Sequence, residues 1–506
     1  MRTFVPGYYI IEGPKRKSWS EFTNYSFLLF NWALTFIARR AIINVALGPD
    51  EIRLQKPVHV IFFSDDRSEK GSVIVNLLPG KSSKAPTSYY DKLPRFSNTA
   101  KRQLSNTKPS NQRYIDSIIN EIGLLLEGRS TQEKCRNKQF SIEDIHIKGI
   151  ERLDDHLANY FKEQMHQKYG KAFFERPRKV QLNFYTLETA DHAVLESVEI
   201  PNTDEELKPM SERKFVISCM ARNQNYMYWL KDLYTSAKHI GCTVIGFNYR
   251  GLDYSKGMIW TYKNLVDDAL SQARRLIESG VKPENIAFEG MSMGAAVATI
   301  TAAKMHENGL RVKLYNERSY RSLLRLMIGY IMPDSTSNPW NPLTWLNYVA
   351  VGCAYLFLTP AICLLGWHLD AANAWDRIPF AYKIYSVARN HQNPAQPDDD
   401  DLVHDSFSSI ASLMAQHLEE IKYTHQNGGS LSIEEQQMLA DKPESHEFTL
   451  DRNNAMNTNP SNHSAPRRFL VDTQSHQQTM HTYMIEHVRE MLEITPPGLE
   501  AHINKA

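Results

Sequence analysis

The amino-acid sequence predicts an α/β fold, a mostly parallel β-sheet flanked by helices. Two patterns of helical spacing, one from Leu265 to Ile277 and one from Met293 to about His306, alternate with short apolar segments. Strands that alternate with helices in this way form parallel sheets. Strands buried on both faces are almost continuously apolar, and four segments have this character: 215–219, 243–247, 286–288 and 312–315. Residues 180–185 and 193–200 are predicted to form an antiparallel pair that opens the sheet.

The turn between the third of these apolar strands and the next helix carries the sequence Gly290-Met-Ser-Met-Gly294. A G-x-S-x-G turn from strand to helix is typical of a nucleophile elbow, in which the serine has strained backbone angles and an exposed hydroxyl. The flanking glycines allow the strand and the helix to approach closely. Ser292 is therefore the predicted nucleophile.

An acid that supports such a serine is expected after a later strand, and a histidine is expected near the end of the chain. Residues 382–387 are the next predicted strand, and the loop that follows contains four consecutive aspartates at 398–401. Their register before Leu402 and Val403 favours Asp400 as the acid, and a shift of one residue selects Asp401. Its role is to orient the imidazole and to stabilise the imidazolium.

The base is chosen among the histidines that follow this acidic loop. His446 precedes residues 447–450, the predicted last strand, and the start of a parallel strand lies at the edge of the sheet away from the site. His463 lies in the polar loop 451–464, before a predicted helix through Phe469 and Leu470, and is the predicted base. The other candidates are His404, His417, His425, His476, His481 and His487.

The oxyanion that forms during attack on a carbonyl needs two N–H donors. The backbone N–H of Met293, directly after the nucleophile, is expected to supply one. The second is expected from the loop after residues 215–219, at Ala221 or Arg222. The sequence carries no His-Gly signature that would fix which of the two donates.

With these residues in place, the chain resembles the α/β-hydrolase superfamily over about residues 178 to 495. Several dispersed motifs are similar to the Sid/Sdb lipase-like effectors that Legionella injects through its Dot/Icm type IV secretion system. They are Met-Ala-Arg-Asn-Gln-Asn-Tyr at 220–226, Asn-Tyr-Arg-Gly at 248–251, Asn-Glu-Arg-Ser at 316–319, Gly-Trp at 366–367 and Ala-Trp-Asp-Arg-Ile-Pro at 374–379.

The resemblance implies a lipase or esterase that is made in a bacterial cytoplasm and acts in a host cell, in the cytosol or at a membrane surface, with host factors as partners. The resemblance also implies an ester or lipid substrate, whereas the residues alone predict only a serine acyl hydrolase. Two alternatives stay open, because a fold does not fix its function. One is acyl transfer or peptide hydrolysis by the same three residues, and the other is a catalytically silent fold that binds a membrane or a host protein.

The composition of the chain indicates which partners and which cellular compartment to expect. The net charge of +1 lacks the basic excess of a nucleic-acid-binding protein, so no nucleic-acid partner is expected. The first residues lack the charged and apolar pattern of a general secretory signal. The five cysteines are scattered, which favours a reducing compartment. They lack metal-ligand spacings, so no metal site is expected, and no cofactor is expected either. The cysteines are Cys135, Cys219, Cys242, Cys353 and Cys363.

An apolar insertion is predicted at residues 320–380, between the sixth and seventh strands of the domain. No Asp, Glu, Lys or Arg occurs between Ser335 and Leu369, and residues 345–367 are apolar enough for a membrane span. A single crossing would separate Ser292 from Asp400 and His463, and Pro360 leaves too little length for two. We therefore expect a cap or lid that covers the pocket or contacts a membrane peripherally, with ordinary protein core as the alternative.

The rest of the chain is predicted to hold an N-terminal α+β region, residues 1–170, of unknown role. A hairpin is expected from segments 58–63 and 72–78, followed by a polar, mobile loop over 80–112. Two helical patterns then cover 114–126 and 142–169. Residues 496–506 are expected to form a tail after the hydrolase-like domain, 178–495.

Overall fold

The structure, a computed structural model, describes most of the chain. The described residues are 60–63, 71–77, 111–150, 153, 155–170, 173–174, 180–222, 224–329, 341–389, 403, 407–440, 447–450, 470–472 and 477–494. The chain divides into two compact units, a smaller one of residues 55–184 and a larger one that contains residues 185–506.

The smaller unit contains a three-stranded sheet and two main helices. Strand β1 (Val60–Phe63) pairs antiparallel with β2 (Ser72–Asn76), which confirms the predicted hairpin. Helices α1 (Asn111–Leu126) and α2 (Asp155–Tyr169) pack against each other. Of the predicted mobile loop 80–112, residues 80–110 lie outside the described part of the chain, and 111–112 begin α1.

The single helix predicted over 142–169 is wrong in its first part. A short 3-10 helix, Ile142–Asp144, leads into β3 (Ile145–Lys148), which pairs parallel with β2. Gly149 then has a φ of +90°, and a Cβ there would lie 2.4 Å from the carbonyl oxygen of Leu77. A left-handed glycine in close contact with neighbouring backbone ends the strand and excludes a continuous helix.

The larger unit is built on a ten-stranded sheet with the order β13-β12-β11-β10-β9-β8-β6-β7-β5-β4. Its strands are β4 (Asn183–Glu188), β5 (Val194–Ile200), β6 (Phe215–Cys219), β7 (Thr243–Phe247), β8 (Ile286–Met291), β9 (Lys313–Glu317), β10 (Lys383–Arg389), β11 (Glu447–Leu450), β12 (Leu470–Asp472) and β13 (Gln477–Thr479). The six strands from β7 to β11 in this order are mutually parallel. Strand β5 runs antiparallel to β7, and β12 and β13 extend the other edge as antiparallel strands.

Helices connect these strands. They are α3 (Thr203–Glu206), α4 (Leu230–Ser236), α5 (Tyr262–Glu278), α6 (Met293–Glu307), α7 (Leu323–Gly329), α8 (Pro342–Leu364), α9 (Ala371–Asp376), α10 (Ile410–Gln426), α11 (Ile433–Ala440) and α12 (Met480–Met491). Helix α6 packs on β8, α5 and α9. Its residues from Met293 to Ala303 are all buried, and its alanines allow the close approach of neighbours on every side.

The strand order, with parallel strands around a strand-turn-helix at Ser292, is that of an α/β-hydrolase fold, as predicted. One prediction at the far edge is wrong, because Leu470 begins strand β12 and not a helix. Strand β12 pairs with β11 on one side and β13 on the other. The pairing supplies backbone hydrogen bonds that a three-residue segment cannot satisfy alone, so its conformation is set by its neighbours.

Candidate active site

The predicted elbow lies between β8 and α6. Ser292 is half-buried and has φ +55° and ψ −120°, a conformation that L-residues other than glycine rarely adopt. Its N–H donates to the carbonyl oxygen of Glu317 at 2.9 Å, and its own carbonyl oxygen accepts from the N–H of Ala296 at 3.1 Å. The backbone on both sides of the serine is therefore held in the strained conformation by hydrogen bonds.

The two glycines of the elbow are required by close packing. A Cβ on Gly290 would lie 2.6 Å from the carbonyl carbon of Gly294, and a Cβ on Gly294 would lie 2.0 Å from the carbonyl oxygen of Cys219. Both contacts are with backbone atoms, which cannot rotate away as a flexible side chain can. The predicted reason for the glycines, close approach of strand and helix, is confirmed by these contacts.

The loop after β6 carries the predicted second oxyanion donor and packs against the first turn of α6. Besides the Cys219 carbonyl, the Met220 carbonyl oxygen would lie 2.7 Å from a Cβ on Gly294. The buried Ala221 donates its N–H to the side-chain oxygen of Gln224 at 3.1 Å, whereas Arg222 is exposed. A role for Ala221 as donor requires Gln224 to release this N–H, and the choice between Ala221 and Arg222 stays a prediction.

Met293, the other predicted donor, is 2% exposed and is the first residue of α6. The first N–H groups of a helix have no partner within the helix, and they carry the positive end of its dipole. Its position directly after Ser292 therefore suits the stabilisation of a developing negative charge. Its role as a donor stays a prediction.

A buried ion pair adjoins the elbow, and the sequence analysis did not identify it. Glu317 and Arg318 are each 1% exposed, and the Arg318 Nη2 donates to the Glu317 carboxylate at 2.7 Å and to the sulfur of Met291 at 2.8 Å. The N–H of Arg318, which has a φ of +54°, donates to the carbonyl oxygen of Ser386 at 3.0 Å. The carboxyl ends of β8, β9 and β10 are thus linked, and Met291 and Glu317 are paired in register.

The signal that could have revealed this pair was present in the sequence. Residues 316–319 place polar and charged side chains directly after an apolar strand, next to the predicted elbow. A charged pair at the carboxyl end of a buried parallel strand points to the active edge of the sheet.

The remaining predicted site residues lie outside the described part of the chain: Asp400, the second-choice acid Asp401 and His463. Strand β10 ends at Arg389 and β11 ends at Leu450, both parallel to β8. The predicted acid follows the first of these strands in sequence, and the predicted base follows the second. Both assignments stay predictions.

Among the alternative histidines, four lie in described helices. His417 and His425 belong to α10, and His481 and His487 belong to α12. The ring of His481 lies 2.8 Å from the hydroxyl of Ser236, and His417 lies 3.8 Å from a carboxylate oxygen of Asp376. His404, His446 and His476 lie outside the described residues.

The loop after β7 is held by a second buried charge cluster. Arg250 is 2% exposed and contacts the Oδ1 atom of the fully buried Asp268 through both Nε and Nη2, while Asp191 contacts the same guanidinium from the other side. The backbone N–H of Arg250 also donates to Asp268 at 2.9 Å. The contacts fix a loop that begins at the carboxyl end of β7. Within the described residues, no group of three His, Cys, Asp or Glu side chains could hold a metal ion.

Comparison with known proteins gives structural likeness alone. No family model matches the chain, and no curated protein matches it. An alpha-beta hydrolase from Vibrio vulnificus is 14% identical with a TM-score of 0.31, and the match covers 52% of this chain and 93% of that one. A Pyrococcus furiosus esterase is 18% identical with a TM-score of 0.29, covering 45% and 73%.

A Pyrobaculum calidifontis esterase is 15% identical with a TM-score of 0.26, and that match covers 47% of this chain and 76% of the esterase. At these identities and TM-scores, the structural likeness gives no support for the fold beyond that from the strand order and the elbow geometry. Those two features define the fold of the larger unit.

Proposed function

We propose that the chain is a serine hydrolase that cleaves carboxylic esters through an acyl-enzyme. The observation that carries the proposal is the strained backbone of Ser292 between β8 and α6. A strained conformation that surrounding hydrogen bonds maintain is common at catalytic positions, because the fold must compensate for its cost. A serine in an ordinary turn would have no need of φ +55° or of two closely packed glycines.

The reaction follows from the roles assigned to the three side chains. His463 accepts the proton of Ser292, and the Ser292 oxygen forms a bond to the carbonyl carbon of the ester. The carbonyl oxygen becomes an oxyanion that accepts hydrogen bonds from Met293 and from Ala221 or Arg222. The bond to the alcohol breaks as His463 returns the proton to it, and water then releases the acid by the same route.

Lipids are the ester class that we propose. The chain leaves β9 at Glu317 and enters an insertion that contains α8, the most apolar helix that the structure describes. Because β8 and β9 are parallel, this insertion begins at the edge of the sheet where Ser292 lies. An apolar helix in an insertion that starts at this edge favours substrates with long acyl chains.

Covalent labelling of the nucleophile is the direct test. A fluorophosphonate probe should label the protein, and Ser292→Ala should abolish both labelling and ester hydrolysis. The matched control is Ser271→Ala in α5, whose hydroxyl donates to the Asp267 carbonyl within its own helix. Labelling that survives Ser292→Ala would contradict the proposal. Hydrolysis of short esters, long triglycerides and phospholipids then assigns the substrate class.

The base and the acid are tested separately. His463→Ala should lower kcat by several orders of magnitude, whereas His446→Ala and His404→Ala should leave ester hydrolysis near the wild-type rate. Asp400→Asn is expected to lower kcat more than Asp401→Asn, which is the matched comparison. Loss of activity in His446→Ala or His404→Ala with retention in His463→Ala would reassign the base.

We also propose that the enzyme is a secreted effector that acts in a host cell. The support is the resemblance of the motifs around residues 220–226, 248–251, 316–319, 366–367 and 374–379 to Dot/Icm effectors. A translocation reporter fused to the chain should appear in host cytosol with a secretion-competent bacterium and be absent with a Dot/Icm-defective strain. Equal signal from both strains would reject this part of the proposal.

A further inference from the structure

Helix α8 exposes an extended apolar surface. The stretch Thr344–Leu364 is long and apolar enough to cross a membrane by length and composition, and only 11% of its most apolar part is buried. Phe357 is 70% exposed and Leu356 is 69% exposed. Large contiguous apolar patches of this kind mark an interaction site. The other large apolar side chains that α8 exposes are Trp345, Leu346, Tyr348, Val349 and Leu364.

Only one face of α8 packs on the protein. Thr344, Val351 and Ile362 are buried, and their spacing of seven and eleven residues places them in one stripe. Tyr355 lies in the same stripe and makes an edge-on contact with Phe407, with ring centroids 6.4 Å apart. Helix α7 packs against α8 as well. The helix is therefore attached along its inner side, and its exposed apolar residues occupy roughly the outer half of its circumference.

The outer face is uncharged along its whole length. No Asp, Glu, Lys or Arg occurs between Ser335 and Leu369. A surface that binds another protein usually has a polar rim with charged residues around an apolar centre. The 23 residues of α8 extend about 34 Å without such a rim, a length comparable to the hydrocarbon thickness of a bilayer. Exposed Trp345 and Tyr348 near one end are the residue types that favour the membrane interface.

The path of the chain excludes a transmembrane orientation of α8. The N–H of Ala372, which follows α8, donates to the carbonyl oxygen of Arg321, which precedes α8, at 2.9 Å. Just beyond the helix, the Gly366 carbonyl oxygen accepts from the N–H of Tyr262 at 3.2 Å, and Trp367 is 1% exposed. The insertion thus leaves and rejoins the protein at one place, and the buried stripe keeps α8 on the protein surface.

We propose that α8 is a membrane-binding element that embeds its outer face in one leaflet of a lipid bilayer and lies in the membrane plane. Helices that bind in this way normally combine an apolar face with a charged face towards water. Here the protein itself covers the inner side and takes the place of the charged face. The inference goes beyond ester hydrolysis, because it holds whether or not Ser292 reacts.

Two native cysteines allow a direct measurement of insertion. Cys353 and Cys363 are exposed on α8, whereas Cys135, Cys219 and Cys242 are buried. An environment-sensitive thiol fluorophore is attached to each exposed cysteine in turn, with the other changed to serine. On addition of phosphatidylcholine vesicles, emission should shift to the blue, and iodide quenching should fall several-fold at both positions.

Charge substitutions test the surface itself. Phe357→Glu, and separately Leu356→Glu, should lower binding to phosphatidylcholine vesicles at least tenfold in a flotation assay, because a charged group cannot enter the hydrocarbon. Leu207→Glu is the matched control, since Leu207 is an 86% exposed leucine outside α8 and its substitution should leave vesicle binding unchanged. Thermal unfolding checks that all three variants are folded.

The outcomes separate this proposal from its alternatives and from the proposed function. Ser292→Ala should bind vesicles as the wild type does, so a failure of catalysis leaves the membrane test intact. Absence of vesicle binding, with concentration-dependent dimers that Phe357→Glu abolishes, would overturn the proposal in favour of a second copy of the chain. Binding only to vesicles that contain anionic lipid would also overturn it, because the uncharged face predicts binding to neutral lipid.

Discussion

At the scale of single residues, the serine of the elbow carries the backbone strain, and the two glycines allow the close packing of strand and helix. Ser292 carries the positive φ, whereas Gly290 and Gly294 are required because a Cβ on either would overlap backbone atoms. The sequence predicted the turn, the serine and the reason for the glycines. It did not predict the Glu317–Arg318 pair, because burial of two charged side chains depends on neighbouring strands that a local pattern does not include.

The strain at Ser292 predicts a gain in stability when it is relieved. Glycine adopts φ +55° and ψ −120° at little cost, whereas other residues incur about 1–3 kcal/mol. Ser292→Gly should therefore be about 1–2 kcal/mol more stable to urea than Ser292→Ala, while both variants lose fluorophosphonate labelling. Equal stability of the two variants would indicate that the loop relaxes around an alanine.

The packing of Gly294 predicts a loss of stability when a methyl group is added. Gly294→Ala places a Cβ 2.0 Å from the Cys219 carbonyl oxygen and should cost at least about 2 kcal/mol in the free energy of unfolding. Gly352→Ala, in open space within α8, is the matched control and should change stability by less than about 1 kcal/mol. Urea denaturation measures both, and a Gly294→Ala variant as stable as the control would refute the contact.

At the scale of secondary-structure elements, the buried parallel strands were the most predictable. Strands β6, β7 and β11 have the predicted bounds, β8 ends three residues beyond its predicted end, and β9 begins one residue later and ends two residues later than predicted. The three strands that the sequence analysis missed, β3, β12 and β13, have three or four residues each. Such short segments carry too little periodicity to be recognised, and their pairing partners determine their conformation.

Strand β10 begins with a lysine whose titration should affect stability. Burial lowers the pKa of Lys383 to about 8, and its ammonium donates to the Trp375 carbonyl oxygen at 2.8 Å. An unfolded lysine has a pKa of about 10.4, so between these values the unfolded chain binds more protons than the folded one. The contribution of Lys383 to stability therefore rises with pH between about 8 and 10.

The corresponding variant removes this dependence. Lys383→Met should raise the free energy of unfolding at pH 7 by up to roughly 3 kcal/mol and flatten its rise between pH 8 and 10. Lys313→Met in the neighbouring strand β9 is the control, and it should retain the rise. Urea denaturation at a series of pH values measures the slope, and an unchanged slope in Lys383→Met would assign the effect to another group.

At the scale of the whole molecule, each compact unit has its own core. The smaller unit buries a cluster that includes Val73, Ile122, Ile145 and Phe161, all within residues 73–173. The larger unit is built around its sheet, where Phe288 of β8 is fully buried. Separate cores predict that damage to one unit is confined to that unit.

Two phenylalanines test this independence. Phe161→Ala should destabilise the smaller unit by about 3–5 kcal/mol while the fluorophosphonate labelling of Ser292 persists. Phe288→Ala should produce a loss of similar size in the larger unit and reduce labelling. Urea denaturation followed by pulsed labelling distinguishes the two effects. Loss of labelling in Phe161→Ala under conditions where the larger unit remains folded would show that the units are coupled.

The parallel centre of the sheet could be predicted because hydrophobic runs and turns recur along the chain in a regular order. The predicted acid and base could not be derived in the same way, since Asp400 and His463 lie in polar segments of the sequence that no periodicity constrains. A local sequence pattern hardly distinguishes between four adjacent aspartates. Their selection depends on the distance to an imidazole, which is a property of the folded molecule.

The uncharged outer side of α8 has a practical consequence for fractionation of cells that contain the protein. Binding of an uncharged protein surface to a membrane does not weaken when salt screens electrostatic interactions. Washing a particulate fraction with concentrated sodium chloride should therefore leave the protein in the pellet, whereas a mild non-ionic detergent should release it in active form.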